Sequence, residues 1–323
     1  MSQTAAPLKR LAILDDYQGV AMALGPWDRL KGIEVTPFRD TITDRDALVQ
    51  RLEPFDTILA MRERTPFPRA LIERLPNLRL LITTAARNRS IDAAACAEKG
   101  IVFCGTASSG DPTVDIAWGL IIGLMRDLPR QEQALRAGRW QTSVGWGLEG
   151  RTLGVVGLGK LGGRVAKVAQ AFGMKVIAWS QNLTEERAAE IGATRVDKAT
   201  LFAEADVVTL HLILSDRSRG IVGAEDLARM KPTAFIVNTS RGPLIDQDAL
   251  IAALKAGRIA GAGLDVFDVE PLPQDHPILA APNTMLTPHL GYVTQQNYRA
   301  YYQGCVEAIE AFNAGAPVRV IAP

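Results

Sequence analysis

An excess of charge of either sign is missing from this sequence: 36 basic side chains stand against 35 acidic ones. Nothing global therefore draws the chain to nucleic acid or to an anionic membrane, and any electrostatic function has to be local. Cysteine is scarce. Cys96, Cys104 and Cys305 are scattered, forming neither a disulfide framework nor a metal-ligand cluster, so no metal site is expected. Long apolar runs are absent as well. The longest, Ile116 to Met125, is too short to span a bilayer, is closed by Arg126 and Asp127, and reads as a buried helix. The opening MSQTAAPLKR has no apolar core of a secretory leader, and tripeptides such as Asn88-Arg89-Ser90 read as chance glycosylation matches. A soluble, cytoplasmic protein is expected.

What is present is an ordinary globular balance, 47% hydrophobic and 22% charged, in 323 residues, enough for two domains that each bury a core. Short apolar runs alternate with amphipathic helical stretches. Strands are expected at Leu11–Leu14, Asp56–Met61, Leu78–Thr83 and Ile101–Cys104, then at TLGVVG, KVIAW, DVVTLHL, AFIVNTS and IAGAGLDVF. Runs apolar on both faces suit parallel strands covered by helices on each side. The fold class is α/β, with two Rossmann-like or flavodoxin-like parallel-sheet domains and an active-site cleft between them. A joint is expected in GTASSGDP, residues 105–112, where small and turn-forming residues cluster. The helical pattern from about Gln295 to Asn313 has no strand after it to extend the second sheet, so it is expected to return to the first. Residues 1–108 with 293–323 would then form a discontinuous substrate domain, and 109–292 a coenzyme domain.

TLGVVGLGKLGGRVAKVAQAFG reads as a strand, then Gly157-x-Gly159-x-x-Gly162, then a helix. A lone Gly-x-Gly-x-x-Gly is weak evidence, but this context is the right one. The first glycine permits a tight turn, the second lets backbone approach a pyrophosphate, and the third allows close helix–strand packing, with the helix N-terminus facing the anion. The next strand, KVIAW, should end on the carboxylate that holds the ribose of NAD, yet the sequence reads Trp179-Ser180-Gln181-Asn182. Ser180 does not repel the 2′-phosphate of NADP, and neither Gln181 nor Asn182 supplies a cation for it. Lys160 could supply one, and is equally placed for the pyrophosphate. NAD and NADP both remain open.

VNTSRGPLIDQDAL, GLDVFDVEPLP and TPHLGYV each place polar residues just after an apolar strand, at the edge where an open parallel sheet forms its crevice. Arg241 can grip a carboxylate with two parallel hydrogen bonds, and Glu270 with His289 can make an acid–base pair in which the carboxylate favours the imidazolium. Taken singly, each has a plain structural reading: a strand-end salt bridge, a solvated acid, a histidine satisfied by a carbonyl. From about Leu11 to Ile321 the sequence resembles the D-isomer-specific 2-hydroxyacid dehydrogenases. The resemblance rests on GVVGLGKLG, MKPTAFIVNTSRGPLIDQDALIAAL, AGLDVFDVEPLP and TPHLG, in the family's order and spacing.

The resemblance implies an oxidoreductase that moves hydride between a nicotinamide coenzyme and a 2-oxo or D-2-hydroxy acid. Arg241, Glu270 and His289 fall on the family's catalytic positions and Asp265 on its coenzyme-amide aspartate. Coenzyme contacts are implied for Gly157, Gly159, Lys160, Leu161, Gly162, Ser180, Gln181, Thr239, Ser240, Asp265 and Gly291. Substrate contacts are implied for Arg62, Arg64, Ala85, Ala86, Arg87, Arg241 and Tyr292, with backbone N–H groups of Thr84–Arg87 assisting Arg241. The sequence departs from the family pattern at Ser180, at Arg87 in a loop usually richer in glycine, and at Tyr292. Arg62 and Arg64, two apart on an extended segment, resemble the paired arginines of phosphoglycerate dehydrogenases; their plain reading is pairing with Glu63 or other acids. The chain's end near VRVIAP leaves no room for a regulatory domain of the kind many phosphoglycerate dehydrogenases carry, and Glu270 disfavours formate dehydrogenase activity. Glyoxylate, hydroxypyruvate and bulkier 2-oxo acids stay open. A homodimer is expected, with the Trp118–Trp146 region as its contact surface. The alternative function is a coenzyme-sensing, corepressor-like interaction module.

Overall fold

Five strands fill the first third of the chain: β1 (Arg10–Ile13), β2 (Glu34–Pro37), β3 (Thr57–Ala60), β4 (Leu80–Thr83) and β5 (Val102–Gly105). In the computed structural model, which describes residues 6–323, they form one parallel sheet in the order β2-β1-β3-β4-β5. Residues 1–5 of the stretch read above for a leader lie outside the described residues. β3 and β4 are buried along their whole length, as continuous apolar runs covered on both faces must be. Asp44 and Asp92 cap the helices Arg45–Leu52 and Ala93–Glu98, each accepting from a backbone N–H three residues on at 2.8 Å.

Seven strands make the second sheet: β6 (Thr152–Val156), β7 (Lys175–Trp179), β8 (Thr194–Arg195), β9 (Val207–Leu210), β10 (Phe235–Asn238), β11 (Gly261–Leu264) and β12 (Thr284–Leu286). All are parallel, in the order β12-β11-β10-β9-β6-β7-β8. The order reverses at β6 and β9, the switch point beyond whose carboxyl ends doubly wound sheets bind ligands. Helices bury an apolar layer on each face of this sheet.

The chain divides into two units, one comprising the residues up to Gly110 with Thr294–Pro323, the other Asp111–Val293. The last helix, Gln295–Asn313, is capped by Thr294 and packs in the first unit, where Tyr298, Tyr301, Tyr302 and Cys305 are buried. The apolar helix Thr113–Met125 is buried in the second unit, Trp118 included. Trp118 is therefore core, and the exposed apolar residues of the expected contact region begin only at Leu128. Among the described residues, no helix is long and apolar enough to cross a membrane.

Candidate active site

The glycine-rich turn leaves β6 and enters the helix Lys160–Ala171. A Cβ on Gly157, whose φ is +99°, would stand 2.8 Å from the carbonyl oxygen of His211. One on Gly162 would stand 2.1 Å from the carbonyl oxygen of Gly157, so helix and turn touch there without side chains between them. A Cβ on Gly159 would meet nothing within 4 Å. The turn is thus closed against protein at its first and third glycines and open at its second, the side from which a pyrophosphate reaches backbone N–H groups. Two buried polar atoms just past strands of the same sheet, Thr239 Oγ1 and His211 Nδ1, have no hydrogen-bond partner among the described residues. They follow β10 and β9, whose last residues Asn238 and Leu210 are partners in register. Open backbone and unsatisfied polar groups together fit a dinucleotide.

Arg241 follows β10 on a turn braced from within. Asn238 Nδ2 donates to the Arg241 carbonyl at 2.9 Å, its Oδ1 accepts from Ser240 N–H at 3.0 Å, and Ser240 Oγ donates to Leu210 O at 2.8 Å. Arg241 Nη1 donates to Ser240 O at 2.7 Å. Gly242 lets this turn lie against the loop after β11: a Cβ there would be 2.1 Å from the carbonyl carbon of Phe267. That second loop carries Glu270, whose Oε1 accepts from Phe267 N–H at 2.8 Å.

Glu270 Oε2 accepts from His289 Nδ1 at 2.6 Å, both side chains being mostly buried. His289 itself sits at φ +53°, a left-handed conformation that a non-glycine residue adopts only when its surroundings impose it. Asp265, fully buried at the end of β11, imposes it. Oδ1 accepts from Thr287 Oγ1 at 2.6 Å and Leu290 N–H at 2.7 Å, and Oδ2 from Gly291 N–H at 2.8 Å. Burial pushes the Asp265 carboxyl above its ordinary range, opposed by these three bonds and by the charge of His289. Its expected partner was the coenzyme amide. Here both oxygens serve the histidine turn, though a carboxylate with three donors keeps room for a fourth. Tyr292 is buried and meets the His289 ring edge-on, with centroids 5.7 Å apart at 70°.

The adenosine end is less committed. Ser180 is half-buried and its carbonyl accepts from Leu183 N–H at 3.1 Å, while Gln181 is exposed. Arg195, unremarked in the sequence, donates from Nε to Leu183 O at 2.7 Å and so lies beside this turn. Lys160 is bound to Asp111, and Leu161 packs against the layer of the helix Thr113–Met125.

In the first unit, Arg62 and Arg64 do not lie on an extended segment. Arg62 has φ +52° in a turn, which breaks the alternation that would set the two side chains alike. Arg62 faces Glu63 at 3.8 Å. The buried Asp15 carboxyl is pushed up by burial, while hydrogen bonds from Thr41 and Thr65 and the charge of Arg64 pull it down. In the Thr84–Arg87 loop, Thr84 N–H is spent on Ala60 O at 3.0 Å and Ala85 N–H on Thr106 Oγ1 at 2.9 Å. Those two cannot assist a carboxylate, which corrects the expectation for that half of the loop; Ala86 precedes an exposed Arg87.

Parallel sheets, an open glycine turn and a carboxylate-held histidine together fit a dinucleotide-dependent α/β oxidoreductase. Residues 118–291 match the family model for the NAD binding domain of the D-isomer specific 2-hydroxyacid dehydrogenases. A hydroxypyruvate reductase of Blautia hydrogenotrophica is 31% identical over 327 aligned positions, covering 97% of this chain and 99% of that one. A glyoxylate reductase of Thermococcus litoralis is 35% identical over 281, or 84% of each chain. The crystal structure of a phosphoglycerate oxidoreductase from Vibrio cholerae O395 superposes with a TM-score of 0.91 at 40% identity, over 96% of this chain and 100% of that one. The chain belongs to the D-isomer-specific 2-hydroxyacid dehydrogenase family. It is a nicotinamide-dependent enzyme that interconverts 2-oxo acids and D-2-hydroxy acids, and these relatives lend no support to the interaction-module alternative.

Proposed function

We propose that Arg241, Glu270 and His289 carry this reaction, and that the substrate is a small, unphosphorylated 2-oxo acid of the glyoxylate and hydroxypyruvate class. The observation that carries the first part is the 2.6 Å bond between His289 Nδ1 and Glu270 in a turn locked by Asp265. With Nδ1 committed, Nε2 is the ring nitrogen that gives a proton to the carbonyl oxygen in reduction and takes it back in oxidation. Glu270 fixes the tautomer and balances the ring's charge. Arg241 takes the substrate carboxylate through two N–H groups and polarises the neighbouring carbonyl. The bound nicotinamide supplies or accepts the hydride.

Gly157, Gly159, Lys160, Leu161 and Gly162 would hold the coenzyme's pyrophosphate, Ser180 and Gln181 its adenosine ribose, and Thr239, Ser240, Asp265 and Gly291 its nicotinamide end. No carboxylate stands at 180–182 and Arg195 lies beside that turn, which supports acceptance of NADPH as well as NADH. Ala85, Ala86, Arg87 and Tyr292 are the proposed substrate neighbours. The charges of Arg62 and Arg64 are shared with Glu63 and Asp15, which argues against the pair as a phosphate site. A homodimer belongs to the same reading. Its support is the arm Leu128–Trp146, where Trp140 is 76% and Val144 97% exposed, beside a hollow of about 350 Å³ lined by Met125, Arg130, Trp146, Phe235 and Met285. A cytoplasmic location is supported by three free, buried thiols.

The test is the initial rate of NADH and NADPH oxidation against glyoxylate, hydroxypyruvate, phenylpyruvate and 3-phosphohydroxypyruvate, with His289→Gln as control. The variant should lose about a thousandfold or more in turnover while keeping coenzyme affinity. Near wild-type kcat in the variant would overturn the role of His289. Preference for the phosphorylated acid would overturn the substrate class, and strict selection of NADH the coenzyme reading.

A further inference from the structure

Asp111, the first residue of the second unit, takes no part in the reaction as derived above. Its carboxylate is nearly enclosed and holds both cations at the start of the helix Lys160–Ala171. Oδ1 accepts from Lys160 Nζ at 2.8 Å and Oδ2 from Arg164 Nη1 at 2.6 Å. Burial pushes this carboxyl up, but the two cations outweigh it and hold it below the ordinary carboxylate range. The Lys160 side chain is 77% exposed, so water readily replaces Asp111 as its partner. Lys160 also follows directly on Gly159, the open corner of the glycine turn. The same short segment reaches the catalytic turn, where Thr113 Oγ1 donates to Gly291 O at 2.9 Å.

We propose that Asp111 is an internal competitor for the coenzyme's pyrophosphate. It holds Lys160 when coenzyme is absent and yields it when the phosphates arrive. It thereby sets how tightly coenzyme is bound and how fast it leaves. The inference rests on the dinucleotide reading of the glycine turn. A helix N-terminus with two cations is already a strong anion site, and a carboxylate placed on those cations weakens it. Lys160, Arg164 and Asp111 together present a single net positive charge, and neutralising the carboxylate leaves two. Across about 7 Å of partly aqueous, salt-screened surroundings, the carboxylate's own repulsion of a doubly charged pyrophosphate and its hold on Lys160 together are worth roughly three- to tenfold in dissociation constant.

The experiment measures the dissociation constants of NADH, NADPH and ADP-ribose for the intact protein by fluorescence titration, and coenzyme off-rates by stopped flow. The proteins are wild type, Asp111→Asn, Lys160→Gln and the double variant. Asp111→Asn should bind all three ligands tighter by that factor and release coenzyme correspondingly slower. Lys160→Gln should bind them more weakly. In its background Asp111→Asn should have a clearly smaller effect, because the contested bond is gone. Unchanged or weaker binding by a folded Asp111→Asn would overturn the proposal, and so would equal tightening in both backgrounds. Asp111→Ser replaces the asparagine variant if that one does not fold. Wild-type protein that bound none of the ligands would overturn the dinucleotide reading itself; either of the other two results leaves that reading standing.

Discussion

Replacing Gly242 by alanine should disable catalysis while leaving the coenzyme's phosphate cradle in place. An added Cβ would stand 2.1 Å from the carbonyl carbon of Phe267, 2.4 Å from its oxygen and 2.5 Å from the nitrogen of Asp268. All three are backbone atoms, so no side chain can swing aside. Restoring an ordinary carbon–carbon separation of about 3.5 Å makes the two loops part by more than about 1 Å. One of those loops carries Arg241, and the other carries Glu270, to which His289 is bonded. A misplacement of that size costs on the order of a hundredfold in rate, so kcat/KM for the best 2-oxo acid should fall by about that factor or more. Overpacking adds about 1–3 kcal/mol of destabilisation, to be read as a lower urea midpoint. The turn from Gly157 to Gly162 belongs to neither loop, so the dissociation constant of ADP-ribose, which lacks the nicotinamide, should stay close to wild type. A folded Gly242→Ala with wild-type kcat/KM would refute the claim that this contact sets the distance between clamp and acid–base pair.

The half-buried His211 has its ring pushed down from 6.5 to about 4 by the loss of water around it, so the folded protein refuses a proton that the unfolded chain accepts. The stability this neutral ring contributes is complete above pH 6.5 and is lost as the pH falls toward 4, about 3 kcal/mol in all. Urea unfolding between pH 7 and 4 should show that slope, and His211→Asn should flatten it; equal slopes would remove His211 as the cause. Trp140→Glu, on the exposed arm, should convert a sedimenting dimer to monomer. A variant that stays dimeric would exclude the arm from the interface, and a monomeric wild type would exclude the dimer.

What the sequence disclosed and what it hid divide along a physical line. Strands such as β4 and β9 are buried on both faces, so their apolar runs announce them without any partner being known. The edge strand β2, half-exposed and ending in Pro37, has no such run, nor does the two-residue β8, and neither was expected; the three-residue β12 was expected only as an apolar stretch before TPHLGYV. The roles proposed for Arg241, Glu270 and His289 were read from motifs that each follow a strand, in a recognisable order. Their supports were not, since a support is defined by what comes close in space. Asn238 is an ordinary strand-end amide until its bonds to Ser240 and Arg241 are seen, and Thr287 is a spacer until Asp265 receives its hydroxyl. The same blindness misled the reading of Arg62 and Arg64. A spacing of two fixes a common side only where the backbone is extended, and the positive φ at Arg62 is invisible in the letters. Asp111 shows the rule at its sharpest. It was noticed only as part of a joint, yet 49 residues of sequence separation vanish when its carboxylate meets Lys160. Chemistry concentrated in one short motif can be read from one chain; chemistry that depends on two loops arriving together has to wait for the fold.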